Sequence, residues 1–184
     1  SKSRRAAERV RDSITVFIEK VVKLKVNREK TECASIGKLK FLGYGFYVSS
    51  GKCRLRLHEK SEGKLRRKLK QITSRSNGMG YERRKTALRN YLQGWTEYFN
   101  LADMSSKVSE IDQWLRRRLR MCIWKSWKKP RTRVKNLIRC GIDKWRAKQW
   151  GNTSKGYWRQ TGRRILTRGI GDESHRQAGY CWIR

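Results

Sequence analysis

Between residues 3 and 22 the apolar side chains Ala6, Val10, Ile14, Phe17, Ile18 and Val21 recur at spacings of three and four, the period of an amphipathic α-helix. Lys23, Leu24, Lys25 and Val26 then alternate, which predicts a short strand, and the polar run "NREKTE" follows. Apolar and aromatic residues at 39–48, the turn signal Ser49-Ser50-Gly51, and alternating Cys53, Leu55 and Leu57 predict a β-hairpin. From Glu59 onward the period becomes helical. Leu65, Leu69 and Ile72 form one stripe, and "SRSNGMG" at 74–80 is a loop. Leu88, Tyr91, Leu92, Trp95, Tyr98 and Phe99 form a stronger second stripe. A third helix starts near Ser105 and is stopped by Pro130. Pro130 in turn opens a fourth helix, with Gly141 at its C-terminal end. Shorter helices are predicted over 145–150 and 165–179, although Gly169 and Gly171 interrupt the second. The order reads as a βαβ-like fragment followed by a helical array, with no internal repeat. The fold class is therefore α+β and mostly helical.

Composition narrows what this pattern is for. The 184 residues include 48 basic and 15 acidic side chains, a formal charge of +33. The last 81 residues carry +17 of it. Soluble domains are comfortable at magnitudes of about 2–8, and self-repulsion at higher charge opposes compaction unless a polyanion neutralises it. Nucleic acid is the expected partner. Hydrophobic residues at 36% and eight Trp supply a core, so the chain is not a disordered basic tail. No run is apolar enough to span a bilayer, and nothing resembles a signal peptide. The chain opens without Met on a segment already patterned as helix, and is expected to be a piece of something longer. Cys33, Cys53, Cys122, Cys140 and Cys181 are widely spaced, with only His58 and His175 to assist them. That argues against zinc and for reduced thiols inside a cell, with Cys122 as a small core residue.

The segment "QWLRRRLRMCIWKSWKKPRTR" at 113–133 concentrates the charge and contains no acidic residue. Advancing 100° per residue from Val108, Val108, Ile111, Leu115, Leu119, Cys122 and Ile123 share one arc, the expected core face. Arg116, Arg117, Arg120, Trp124, Trp127 and Lys128 fall on an adjoining arc. Arginine forks bind phosphate oxygens and indoles stack on bases, so this flank is expected to face outward and hold a nucleic-acid strand. Arg118, Lys125, Lys129, Arg131 and Arg133 extend the set. The alternative is that Trp124 and Trp127 pack against the following helix while the arginines are solvated. A second cluster, "TSKGYWRQTGRR" at 153–164, sets Lys155, Arg159, Arg163 and Arg164 around Tyr157 and Trp158. Catalytic patterns are missing. The acidic residues are scattered, and no Walker loop, HExxH or GxSxG occurs, so the chain alone is not expected to assemble a two-metal site.

Three stretches carry a resemblance: "LRNYLQGWTEYFNLADM" (88–104), "IDQWLRRRLRMCIWKSWKKPRTRVKNLIRCGI" (111–142) and "WGNTSKGYWR" (150–159). They resemble the maturase part of bacterial group II intron reverse transcriptases, and "NREKTE" with "KFLGYGFY" looks like the end of that family's palm. The resemblance implies a C-terminal piece of the palm at 1–58, a thumb or maturase domain X at 59–128, and a DNA-binding extension at 129–184. It implies that Phe41, Leu42, Gly43 and Tyr44 form the primer grip. Lys30 would match the palm lysine proposed to protonate pyrophosphate; a solvated lysine beside Glu29 and Glu32 is the other reading. The parent would be a bacterial, cytoplasmic RNA-directed DNA polymerase using Mg²⁺. This piece would hold no cofactor, lack the catalytic aspartates and be inactive without the fingers and palm that precede it. The implied partners are group II intron RNA, an RNA template with its DNA primer, and target DNA, with no membrane. A stand-alone splicing cofactor that never polymerises is the rival reading, and a basic DNA-packaging protein a weaker one. Gly80 departs from the family's usual helix-capping Ser, and "TGRRIL" from its usual turn.

Overall fold

The computed structural model describes residues 3–154, 156–162, 164–171 and 183, without the side chains of Arg164, Ile165 and Arg168. It divides into two compact units, Ser1–Leu55 and Arg56–Arg184.

In the first unit, α1 (Arg4–Lys20) begins at Ser3, whose hydroxyl accepts the Ala6 N–H at 3.2 Å, an N-cap that satisfies one of the four orphan donors. Its predicted apolar stripe is present, but Val10, Ile14 and Phe17 are solvent-exposed. The strand expected at 23–26 does not form. Lys23 takes a positive φ of 56°, which breaks an extended path, and a 3-10 turn at Arg28–Lys30 follows, capped by Asn27. A second 3-10 turn (Ile36–Lys38) leads to β1 (Lys40–Phe41), β2 (Tyr44–Ser49) and β3 (Lys52–Leu57), in the order β1-β2-β3. No described strand precedes the helix, so the βαβ-like expectation gives way to a helix followed by a three-stranded meander. Phe41 pairs with Tyr44, leaving Leu42 and Gly43 as a two-residue turn with φ of 48° and 87°. Ser50 and Gly51 make the second turn, with φ of 50° and 70°. Two positive φ values in succession match the right-handed twist of the flanking strands.

The second unit is helical: α2 (Glu59–Ile72), α3 (Tyr81–Tyr98), α4 (Ser105–Ser126), α5 (Pro130–Arg139), α6 (Lys144–Gly151), α7 (Tyr157–Thr161) and α8 (Arg164–Gly169). The predicted stripes are the buried ones, except that Tyr98 is exposed and Tyr91 half-buried. Leu65, Leu69 and Ile72 of α2, Leu88, Leu92 and Trp95 of α3 with Phe99 just beyond it, and Val108, Ile111, Leu115, Leu119 and Cys122 of α4 are all buried. Gly80 leaves α3 without a side-chain N-cap. Pro130 opens α5, and Gly141 closes it with φ of 78°. The Gly141 N–H donates to Ile138 O and the Ile142 N–H to Leu137 O, the paired bonds of a Schellman ending. Helix α8 occupies the start of the region expected at 165–179, and residues 172–179 lie outside the described ones.

Helix α6 packs closely against α5 because Gly151 has no side chain. A Cβ there would sit 2.5 Å from Val134 Cγ2 and 3.1 Å from the Val134 backbone nitrogen. Backbone cannot move aside as a side-chain tip can, so Gly151→Ala is expected to cost about 1–3 kcal/mol in denaturant unfolding. Unchanged stability would mean that the two helices separate freely.

A carboxylate network ties α2 to α4. Glu62 accepts from Lys107 Nζ at 2.7 Å and Arg66 Nε at 2.9 Å, while Arg66 Nη2 reaches Glu110 at 2.8 Å. The hydrogen bond from Lys107 holds the Glu62 pKa below its usual value, against the opposing effect of burial. The folded value lies below the unfolded one, so this contribution is present above about pH 4.3 and is lost as pH falls through the folded value. Glu62→Gln is expected to destabilise by about 1 kcal/mol at neutral pH and by nothing near pH 2. An equal loss at both pH values would contradict the linkage.

Candidate nucleic-acid interface

The middle helix decides which basic side chains are available. Helix α4 packs on α2 on one side and on α7 on another, so its C-terminal half is enclosed almost all round. Trp124 is 2% exposed and lies in a cluster with Leu137, Ala147, Leu166 and Ile170, against which Trp127, Val134, Trp150 and Tyr157 are packed. Arg120 is 7% exposed, and its Nε donates to Thr161 O at 3.3 Å. The expectation that Trp124, Trp127 and Arg120 stand together on an outward flank is therefore corrected. A single wheel projection assumes one buried face, and α4 has two. The packing alternative holds for the two indoles, whose rings lie 5.8 Å apart.

Other α4 cations are engaged at the end of α2. Arg118 Nε donates to Thr73 Oγ1 at 2.6 Å, and its Nη2 to the carbonyls of Lys70 and Thr73. Lys125 Nζ donates to Arg75 O, and Cys122 Sγ to Thr73 O at 3.2 Å. Burial pushes the Cys122 thiol up, so it remains a protonated donor. Arg118 satisfies carbonyls that the C-terminus of α2 leaves orphaned and complements its dipole, while Lys125 bonds the loop that follows. Arg84, buried on α3, completes the arrangement by donating to Ile72 O and Met79 O. Arg118 and Lys125 are thus half-buried, with their polar heads engaged on neighbouring carbonyls. Arg133 is half-buried as well, its Nε donating to Trp127 O at 3.0 Å and its guanidinium 5.0 Å from the Trp124 ring.

What remains outward is a different set. On α2, Lys60, Lys64, Arg67 and Lys68 are exposed and fall within about 100° of one another on the helix wheel. The core stripe is centred about 120° round the helix from them. On α5, Arg131, Lys135 and Arg139 recur every fourth residue along the exposed face, continuing from exposed Lys128 and Lys129. Helix α6 adds exposed Lys144, Arg146 and Lys148 around Trp145, which is 64% exposed with the Arg146 guanidinium 5.2 Å from its ring. Sequence reasoning missed the α2 strip and Trp145, although the same wheel projection applied to α2 and α6 finds both.

Arg116 and Arg117 are half-buried beside α7. Arg117 stacks 4.0 Å from the Trp158 ring and donates to Trp158 O at 3.1 Å. Trp158 and Arg159 are exposed, whereas Tyr157 is half-buried with the Arg75 guanidinium 5.1 Å from its ring. Lys155 and Arg163 lie outside the described residues, as does the side chain of Arg164. In the first unit, Lys30 is exposed on the 3-10 turn, and Phe41 and Leu42 project into solvent at the β1–β2 turn, which Gly43 and Tyr44 complete.

A family model for the group II intron, maturase-specific domain, matches residues 63–141, from the first half of α2 to the glycine that ends α5. Residues 63–141 are similar to that domain. No curated protein matches the chain significantly. The matched region contains most of the α2 strip and the whole exposed face of α5; α6 and α7 lie beyond its end. Among the described residues no three His, Cys, Asp or Glu side chains converge. No described helix is long and apolar enough to cross a membrane.

Proposed function

We propose that the chain is the nucleic-acid-binding C-terminal part of a group II intron reverse transcriptase and maturase, acting in the bacterial cytoplasm. It binds intron RNA to promote splicing and, joined to the fingers and palm of its parent, holds template–primer and target DNA during RNA-directed DNA synthesis. The observation that carries this reading is the pair of exposed, cationic, acid-free faces, on α2 and α5, within the maturase-specific domain. Phosphate neutralisation by such faces supplies affinity through counterion release. In the same reading residues 1–58 end the palm, 59–128 form the thumb, and 129–184 extend toward DNA. The turn of Phe41, Leu42, Gly43 and Tyr44 steadies the primer end, and Lys30 serves the departing pyrophosphate.

The test is anisotropy of a labelled group II intron RNA titrated with the protein between roughly 50 and 200 mM salt. The logarithm of affinity is expected to fall linearly with the logarithm of salt. Replacing Arg131, Lys135 and Arg139 by Gln should flatten that line by about 0.7–0.9 for each phosphate no longer neutralised. A binding constant indifferent to salt, or a slope unaltered in the variant, would overturn the assignment of this surface.

A further inference from the structure

Between α4 and the α7 segment lies a cleft of about 540 Å³, within the range of roughly 300–1,000 Å³ that holds small molecules. Its walls join Arg116, Arg117 and Arg120 to Trp114 and Trp158. Gly162 lines it too, and a Cβ on that glycine would fall 3.0 Å from Arg117 Nη2, so the missing side chain leaves room for the guanidinium 4.0 Å from the Trp158 ring. The Arg117 Nε is buried with no hydrogen-bond partner, while Trp158 keeps 41% of its surface exposed. The acid in its lining, Glu110, is engaged by Arg66 at 2.8 Å and so presents less repulsion to an anion.

We propose that this cleft takes a single unstacked nucleotide of the bound RNA, with its base against Trp158 and its phosphate on Arg116 and Arg117. The inference rests on the proposed RNA-binding function and adds to it a site for one unpaired residue. The volume is enough for one nucleotide. An indole already paired with a guanidinium offers a sequence-tolerant stacking surface, and the adjacent arginines supply donors for the phosphate. The orphaned Nε–H of Arg117 gains an acceptor when the guanidinium turns toward a phosphate oxygen, removing the penalty of a buried unpaired donor.

Two RNA hairpins of equal length test this, one fully paired and one carrying a single bulged 2-aminopurine. The intact chain is expected to bind the bulged hairpin about 5- to 100-fold more tightly and to quench its 2-aminopurine emission. Trp158→Leu should abolish both the preference and the quenching while leaving affinity for the paired hairpin within about twofold. Gly162→Ala, which crowds the Arg117 guanidinium, should reduce the preference without touching the indole. Equal binding of both hairpins with a steep salt dependence would overturn the cleft proposal and leave RNA binding standing. Preference and quenching that survive both substitutions would also overturn it. Failure to bind either hairpin would remove the proposed function as well.

Discussion

Trp124→Ala is expected to lower the stability of the second unit by about 3–5 kcal/mol and to leave RNA affinity within a few-fold where the protein is still folded. The indole is 2% exposed and sits where α4 meets Leu137 of α5, Ala147 of α6, and Leu166 and Ile170 at and beyond α8. Its removal opens a cavity into which neighbours fixed on α5, α6 and the α8 segment cannot all collapse. Arg133 would also lose the ring beside which its guanidinium lies. Equilibrium unfolding and RNA binding on the same preparation separate the two outcomes. A stable variant with impaired binding would return Trp124 to the RNA-facing surface.

Replacing Lys60, Lys64, Arg67 and Lys68 together by Gln is expected to have the opposite signature. Glutamine forms helices about as well as lysine and arginine, and none of the four side chains is buried, so stability should hold. Removing like charges one helical turn apart also lessens their repulsion. Affinity for intron RNA at low salt should fall on the order of 100-fold, and the salt slope should flatten by about 3 if each side chain meets one phosphate. A weaker affinity with an unchanged slope would point to something other than phosphate neutralisation. Unchanged affinity would remove α2 from the interface.

The elements of the second unit were legible because their apolar residues recur at helical spacing and their ends carry strong signals. Leu65, Leu69, Leu88, Leu92, Leu115 and Leu119 are buried as their spacing requires, and Pro130 and Gly141 bound α5 as their backbone preferences dictate. The first unit was harder. Four alternating residues at 23–26 carry too little information to specify a strand, and Lys23 adopts a left-handed conformation that no residue pattern announced. The binding surface was legible in kind but not in place. Sequence density of Arg and Trp marks 113–133, yet density does not distinguish a guanidinium that meets a partner from one that ends a neighbouring helix. Arg118 does the latter and Lys125 bonds the loop just beyond, which depends on where the end of α2 lies, about 45–50 residues earlier in the chain. The strip on α2 was readable from the wheel and was obscured by the greater charge density downstream.

The central claim is that RNA is gripped by the outward cations of α2, α5 and α6 and not by the enclosed flank of α4. Lysine acetylation footprinting, with and without intron RNA, reads this side chain by side chain. RNA is expected to protect Lys60, Lys64, Lys68, Lys135, Lys144 and Lys148, while Lys125, already bonded to Arg75 O, reacts to the same low extent in both states. Protection confined to other lysines, with those of α2, α5 and α6 as reactive as in the free protein, would contradict it.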